Sequence, residues 1–347
     1  AAPMLPQYSP HKSMGVASCA SSLCHGAVEM WVNSRVLQNE YVTWSRRDKH
    51  ARAYSVLLNE RSQSIVRKLD LVEPAHRAEL CLDCHAHNVP PTKRGEQFVM
   101  SDGVVCEACH GPAERWLRSH VERDARHDDN LANGLYPTSD HEARARLCLS
   151  CHFGTKRKFV THKLMAAGHP RMSFELDTFT QIQPPHFRAR SPKGDLQLWD
   201  GVKVWAIGQA LAAHELLEIL TDPARGRNGL FPELVLFDCH ACHRPMSDER
   251  NAGARLGVGP GVVRLNDASL LMVQQIARRV DKAGQAKFAQ EVTNLHRAVA
   301  TGDDALVHAR AVQKTLAHLL PRINAYHFSE SDLRGILLGL IDDGLSG

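Results

Sequence analysis

Every cysteine in the chain belongs to a close pair, and a histidine directly follows the second cysteine of each pair. The 347 residues contain 10 cysteines and 21 histidines. Four of the pairs have two residues between the cysteines, and one pair has four. The five motifs are Cys19 and Cys24 with His25, Cys81 and Cys84 with His85, Cys106 and Cys109 with His110, Cys148 and Cys151 with His152, and Cys239 and Cys242 with His243. Each motif places two thiols and one imidazole within a few residues, and this repetition restricts what the chain can build.

The spacing C-x-x-C-H is typical of covalent haem c attachment. Two thiols add across the two vinyl groups of one haem, and the adjacent histidine reaches the iron as its proximal ligand. We interpret the longer spacer between Cys19 and Cys24 as a looser loop that serves a fifth haem. The sequence therefore predicts five haem c groups, with all ten cysteines as attachment sites and all five motif histidines as iron ligands.

Disulfides and zinc are the two alternatives for so many cysteines. Five disulfides would account for ten cysteines, but a disulfide framework does not require a histidine after each second cysteine. Two C-x-x-C units can together bind zinc, yet five units would leave one without a partner. Haem accounts for all five motifs and for their histidines.

The predicted fold is mainly α with much irregular loop. Five haems in 347 residues leave about 70 residues each, too few for independent cytochrome domains, so we expect one multihaem cytochrome c core organised around the covalent haems. We divide the chain into an N-terminal arm (1–18), a pentahaem domain (19–262) and a C-terminal helical region packed on it (263–347). A small hairpin is predicted over 97–105.

Apolar residues at helical spacing define the C-terminal region, which follows a predicted helix over 201–221. One stripe runs from Leu270 to Val280 and a second from Phe288 to Val299. Gly302-Asp303 interrupts the pattern, and Ser329 with Asp332 resembles a capping box that opens a last helix through Leu340. These features predict an antiparallel helical tail.

Charge and hydropathy exclude two classes of protein. The formal net charge is +4, but the haem propionates would offset it, and no basic run interleaved with aromatic residues favours nucleic acid. No apolar stretch approaches the length of a transmembrane helix. Haem is attached outside the cytoplasm, and the start Ala1-Ala2-Pro3 is typical of a chain after signal-peptide removal. We expect a bacterial periplasmic or secreted protein.

Three further histidines stand out as distal iron ligands because they share a helical face with apolar residues. His50 aligns with Ala53, Tyr54 and Leu57 at helical spacing. His120 follows Trp116 by four residues and Leu117 by three. His214 lies on the stripe of Ile207, Leu211 and Leu217. Each of these histidines can project inward from a rigid helix.

Here the sequence resembles the tetrahaem cytochrome c-554 family, which includes electron carriers that serve hydroxylamine oxidation. The segment 103–112, with His120 ten residues past His110, is similar to the third haem site of that family. Trp44 followed by His50-Ala51-Arg52-Ala53 resembles its element after the first haem, and the order of the first four motifs also matches. The resemblance covers about residues 15–215; the four-residue spacer, the fifth motif and the helical tail depart from it.

The resemblance implies a crossed pattern of distal ligands. It gives His120 to the first haem, His50 to a different haem, the third, and His214 to the fourth. It also implies a five-coordinate iron at the second motif, which ends in His85.

For the second and fifth haems, the candidate distal ligands lie in the segment 161–170. His162 and His169 are seven residues apart, which suits one face of a helix that Pro170 ends. His169 is the first choice for a distal ligand and His162 the second. His87 lies only two residues past His85, so it would serve a neighbouring haem or stay solvated. Methionine ligation is the minority interpretation.

These features favour an electron-transfer protein in which several bis-histidine haems form a chain of redox centres between unidentified donor and acceptor proteins. One alternative is a redox enzyme that acts on a small nitrogen or sulfur species at one five-coordinate haem. Another is a subunit of a larger redox complex that docks through its C-terminal helices.

Overall fold

The computed structural model describes residues 2–34, 36–187, 198–226, 232–243 and 264–345. Helices joined by 3-10 turns and irregular loops dominate these residues, where the only β-structure is three isolated bridges. The prediction of a mainly α fold with much loop is therefore confirmed. The small hairpin predicted over 97–105 is wrong, because Met100–Asp102 forms a 3-10 turn. The α-helices in the described ranges are α1 Glu40–Arg47, α2 Glu60–Lys68, α3 Glu79–His85, α4 Cys106–His110, α5 His127–Ala132, α6 His141–His152, α7 His162–Ala167, α8 Leu176–Ile182, α9 Leu198–Thr221, α10 Cys239–Cys242, α11 Ala268–Val280, α12 Gln285–Thr301, α13 Ala305–Ala325 and α14 Glu330–Leu345.

The chain divides into two compact units. The first unit comprises Ala1–Leu147, Lys163–Arg171 and Thr178–Leu196. It contains the first three cysteine motifs. The second unit comprises Cys148–His162, Met172–Asp177 and Gln197–Gly347, and it contains the fourth and fifth motifs with the C-terminal helices.

The first unit is built from short helices and loops with little side-chain core. One small cluster centres on Leu57 and Leu82, and another on Tyr136 and Leu147. Among the described residues, the largest fully buried side chains all lie in the second unit. The largest buried side chains of the described residues are thus concentrated in the second unit, and the buried side chains of the first unit are smaller or more scattered.

In the second unit, α9 packs against α11 and α13, while α12 packs against α13 and α14 against α11. The predicted stripes form this core, because Leu270, Ile276, Phe288 and Leu295 are fully buried. The apolar periodicity of the tail is thus confirmed as helical packing.

The breaks between the tail helices follow local chemistry. Gly302 ends α12 in the left-handed conformation, with φ of 77°, which glycine adopts without a Cβ penalty. Ser329 Oγ accepts a hydrogen bond from the Asp332 backbone N–H at 3.2 Å, and the Asp332 carboxylate accepts one from the Ser329 N–H at 2.9 Å. The predicted capping box is confirmed, and α14 runs past Leu340 to Leu345.

Candidate haem-binding sites

All ten cysteines lie within the described residues, and none of them forms a disulfide. The second and third motifs lie on the short helices α3 and α4, and the fourth occupies the end of α6. The fifth motif closes when the His243 N–H donates to the Cys239 carbonyl at 2.8 Å, and the first closes in the same way, from His25 to Cys19 at 3.2 Å. The four-residue spacer therefore still returns the histidine to the first cysteine of its motif.

The second cysteine of each motif is accessible rather than sealed in a side-chain core. Cys84, Cys109 and Cys151 are half-buried, as is Cys24, and Cys242 is exposed. Cys109 packs beside the small cluster of Tyr136 and Leu147. The Lys158 ammonium lies 3.2 Å from the Cys151 Sγ. Each of these thiols has the access that a covalent attachment requires, and none is withdrawn into a disulfide.

Four of the five motif histidines face a second imidazole ring within the described part of the chain. The ring centroids of these pairs are 6.2 to 6.4 Å apart, which is too far for direct contact between the rings. The pairs are His25 with His120 at 6.3 Å, His85 with His169 at 6.4 Å, His110 with His186 at 6.2 Å and His243 with His162 at 6.2 Å.

This separation suits two imidazoles bound on opposite sides of one metal ion. A metal–imidazole bond is about 2.0–2.1 Å long and the coordinating nitrogen lies about 1.1 Å from its ring centroid, so two trans rings have centroids about 6.2–6.4 Å apart. The donor set, two nitrogens per site beside a pair of thiols, is that of a bis-histidine haem c. The residues present thus fit the predicted cofactor.

Hydrogen bonds at Nδ1 orient several of these rings. The His85 Nδ1 lies 3.0 Å from the Ala53 carbonyl oxygen, the His120 Nδ1 3.1 Å from that of Trp116, and the His169 Nδ1 2.8 Å from that of Pro170. A histidine that binds a metal through Nε2 generally donates its Nδ1–H to such an acceptor. The contacts fix the tautomer and leave Nε2 for coordination.

The His25 ring has a charged partner instead, because its Nδ1 lies 3.0 Å from Glu40 Oε2. That hydrogen bond raises the pKa of His25. Burial opposes ionisation of Glu40, but hydrogen bonds from the His25 ring and from backbone N–H groups outweigh it and lower the pKa of the carboxyl.

The first and third motifs are neighbours within the first unit. A hydrogen bond between the Cys19 and Cys106 thiols raises the pKa of Cys19 and lowers that of Cys106. Burial, followed by the nearby His186 and His25 rings, lowers the pKa of His110 to about 4. The His110 imidazole is therefore neutral at physiological pH, the form that binds a metal.

A buried carboxylate frames the third motif. Glu107 is 1% exposed and accepts backbone hydrogen bonds from Met14, Gly15 and Ala113 at 2.7 to 2.8 Å. Burial raises the pKa of Glu107 against the effect of these bonds. Gly111 ends α4 at φ 85°, where a Cβ would lie 2.5 Å from the Gly134 carbonyl oxygen. These contacts hold the N-terminal arm and the following loop around His110.

The remaining candidate ligands have other neighbours. His50 lies in the 3-10 turn Lys49–Arg52, with its Nδ1 2.9 Å from Asp48 Oδ1. Burial opposes ionisation of Asp48, but the ring and backbone hydrogen bonds of His50 outweigh it and lower the pKa of Asp48 to about 2. The buried His87 has its Nε2 2.8 Å from Ser13 Oγ.

The fourth motif differs from the others in its ring contact. The Phe174 ring stacks on His152 at a centroid distance of 4.6 Å. His214 lies on α9, as predicted, with its Nδ1 3.7 Å from Glu215 Oε1. Neither contact pairs the ring of His152 or of His214 with a second imidazole.

Two features of the facing rings are not predicted by the sequence. His186 follows Pro184-Pro185 in an irregular segment and has no apolar stripe around it, so no periodicity marks it. Its only sequence signal is that it is one of the few histidines between the fourth and fifth motifs. The helix predicted through His169 is shorter than expected, because α7 ends at Ala167 and Gly168 has φ of 123°.

Residues 18–111 match the family model described as cytochrome c554 and c-prime. The matched segment contains the first three motifs. It supports an electron-transfer haem protein of the c-type cytochrome class, with covalently bound haem c and its iron. Searches of curated proteins and of solved structures gave no match.

Across the described ranges, no helix combines the length and the apolar character needed to cross a membrane.

Proposed function

We propose that this chain is a periplasmic or extracellular electron-transfer protein with five covalently bound haem c groups. One observation carries the proposal: four of the five motif histidines each face a second imidazole at 6.2 to 6.4 Å. Two metal–nitrogen bonds place imidazole centroids at this separation, and in the described residues an imidazole lies at it from four motif histidines.

The ten cysteines are the proposed attachment sites, two for each haem. In chain order the pairs are Cys19 with Cys24, Cys81 with Cys84, Cys106 with Cys109, Cys148 with Cys151, and Cys239 with Cys242. Their pairing beside a histidine and the accessibility of each second thiol support this assignment.

The iron ligands follow from the spacing wherever a ring pair exists. The proposed pairs are His25 with His120 for the first haem, His85 with His169 for the second, His110 with His186 for the third and His243 with His162 for the fifth. For the fourth haem, His152 keeps His214 as its proposed partner on the resemblance alone.

Two earlier candidates are less favoured by their contacts. The ring opposite His110 is His186, so His186 takes the role that the resemblance gives to His50. The His87 Nε2 is held by Ser13 at 2.8 Å, and we propose a structural role for that ring in tying the N-terminal arm to the segment after the second motif.

Each haem, when bound, supplies a one-electron ferric–ferrous couple. The paired imidazoles would hold the iron, and the hydrogen bonds of His85, His120 and His169 to backbone carbonyls keep those rings from turning. A haem held by two histidines would bind no small ligand at its iron. Saturated coordination suits a carrier, whereas an enzyme must keep a position open.

The contact between Cys19 and Cys106 supports electron transfer between sites. The Cys19 and Cys106 sulfurs are neighbours in the first unit, so haems attached through them would lie close together. Attachment outside the cytoplasm is the reason for the proposed location.

Two measurements on the purified holoprotein test the proposal. The intact mass should exceed the chain mass by five haems, and low-temperature EPR of the oxidised protein should show at least four low-spin haems per chain. A mass without haem would restore the disulfide or zinc interpretation. Two or more high-spin haems, or saturable turnover of nitrite or hydroxylamine at useful rates, would overturn the carrier assignment in favour of an enzyme.

A further inference from the structure

We propose that Glu40 is a positioning residue that lowers the reduction potential of the first haem. The inference rests on the proposed function, because it needs His25 to be an iron ligand. It concerns the Glu40 carboxylate, which is hydrogen-bonded to the Nδ1 of the His25 ring.

The contact geometry fixes the carboxylate firmly. Glu40 Oε2 lies 3.0 Å from the His25 Nδ1, while Oε1 accepts the backbone N–H groups of Leu37 and Gln38 at 2.8 and 3.2 Å. The side chain of Glu40 is only 17% exposed. Both oxygens are therefore engaged, and the negative charge cannot swing away from the ring.

The same two amides belong to the base of a closed loop. The Ala27 N–H donates to the Gln38 carbonyl at 2.7 Å, and the Trp31 N–H donates to the Leu37 carbonyl at 2.9 Å. Glu40 thus lies between the backbone of Leu37 and Gln38 and the His25 ring. Because both the N–H and the carbonyl of these two residues are hydrogen-bonded, their backbone holds the carboxylate in place.

Comparison with the other rings makes Glu40 distinctive. The Nδ1 groups of His85, His120 and His169 lie against neutral backbone carbonyls. Among the facing ring pairs of the described residues, His25 is the one whose Nδ1 has a carboxylate as its hydrogen-bond acceptor. The first site therefore receives a full negative charge where the second site receives only dipoles.

A carboxylate at Nδ1 makes the imidazole a stronger donor to the metal. Stronger donation and the nearby negative charge both favour the ferric over the ferrous state, so the reduction potential falls. The half-reaction adds one electron from an external donor, here the electrode mediator, to ferric iron and gives ferrous iron. No covalent bond is formed or broken in this step.

The test is a potentiometric titration of the holoprotein, comparing the wild type with Glu40→Gln. Glutamine keeps the size of the side chain but removes its charge. We expect one of the five midpoint potentials to rise by at least 59 mV, which for one electron is a tenfold change in the equilibrium constant of reduction. The matched control is Glu114→Gln, which removes a carboxylate of the same unit that is 39% exposed and accepts the Lys12 N–H at 2.9 Å. The control should move no midpoint by that amount.

Repeating the titration in the His120→Ala variant shows whether the shifted midpoint belongs to the first haem. In His120→Ala that haem should give a high-spin EPR signal, whose midpoint can be followed separately from the low-spin haems. Glu40→Gln should raise the midpoint of this signal, and Glu40→Asp, which keeps the charge with a shorter reach, should raise it less. If Glu40→Gln does not fold, the midpoint shift of the first haem in Glu40→Asp tests the proposal instead.

Three results would overturn the inference: no shift, an equal shift in Glu114→Gln, or a shift confined to another haem. Each of them would leave at least four low-spin haems and the proposed function intact. Loss of the haems from the wild-type mass, or no high-spin signal in His120→Ala, would instead refute the proposed ligation.

Discussion

Replacing His186 with alanine should open the third haem, and the same change at His50 should not. The two histidines are rivals for one iron, because the family resemblance favours His50 and the ring geometry favours His186. The His186 centroid is 6.2 Å from that of His110 and 5.7 Å from the ring of Phe187, which packs edge-on against it. His50 is instead hydrogen-bonded to Asp48.

The magnitude follows from the separation of the rings. Two imidazoles whose coordinating nitrogens point at each other across a centroid separation of 6.2 Å have those nitrogens about 4.0 Å apart, which is the length of two coordination bonds of about 2.0 Å. An alanine side chain ends at Cβ and has no nitrogen that could bind the iron in place of the imidazole. His186→Ala should therefore convert one haem of five to high spin and bind one carbon monoxide per chain when reduced.

The assays are low-temperature EPR of the oxidised protein and carbon monoxide titration of the reduced protein. His50→Ala is the control and should stay low-spin with no carbon monoxide bound. Intact mass verifies that both variants retain five haems, and added imidazole should restore the low-spin signal in His186→Ala. A high-spin haem in His50→Ala together with a low-spin spectrum in His186→Ala would refute the geometric argument.

Three predictions concern stability, measured by urea denaturation. Glu107→Gln should lower the free energy of unfolding by about 2–4 kcal/mol, because the amide cannot accept all three backbone N–H groups and one buried donor then faces another donor. Because the pKa of Glu107 is raised in the folded wild type, its contribution to stability is complete below the unfolded pKa and is lost as pH rises through the folded pKa. The variant should lack this pH dependence of the free energy of unfolding. Gly111→Ala should cost more than Gly302→Ala, by at least about 1 kcal/mol, because only the Cβ at 111 meets backbone, at 2.5 Å; equal losses would contradict this. Asp332→Asn should cost about 0.5–1 kcal/mol at neutral pH through the cap at Ser329, and since the pKa of Asp332 is lowered, the difference from wild type should vanish as pH falls through that pKa.

The sequence by itself determined the cysteine motifs and the helical tail. A haem motif is local, because both thiols and the proximal histidine fit within one turn of chain. The tail is equally local in origin, since stripes such as Leu270 to Ile276 and the box of Ser329 with Asp332 depend on neighbours three or four residues away. Such features can be predicted without knowing the fold.

The partner of each motif histidine was a different problem, which the sequence addressed only in part. His120, His169 and His162 were named as candidates from local spacing, although His169 lies beyond the end of its helix. The sequence gives no signal for His186, whose ring faces His110, because it lies 76 positions after His110 in a proline-containing loop where no periodicity marks a buried face.

The position of Glu40 is likewise evident only in the tertiary structure. Its contacts with His25 and with the Leu37 and Gln38 amides arise from the path of one loop, and an isolated glutamate 15 positions from a histidine carries no signal. Local sequence determines which residues can bind a metal, because that depends on their own chemistry. Only the folded chain decides which two of them meet, because that depends on how distant segments pack together.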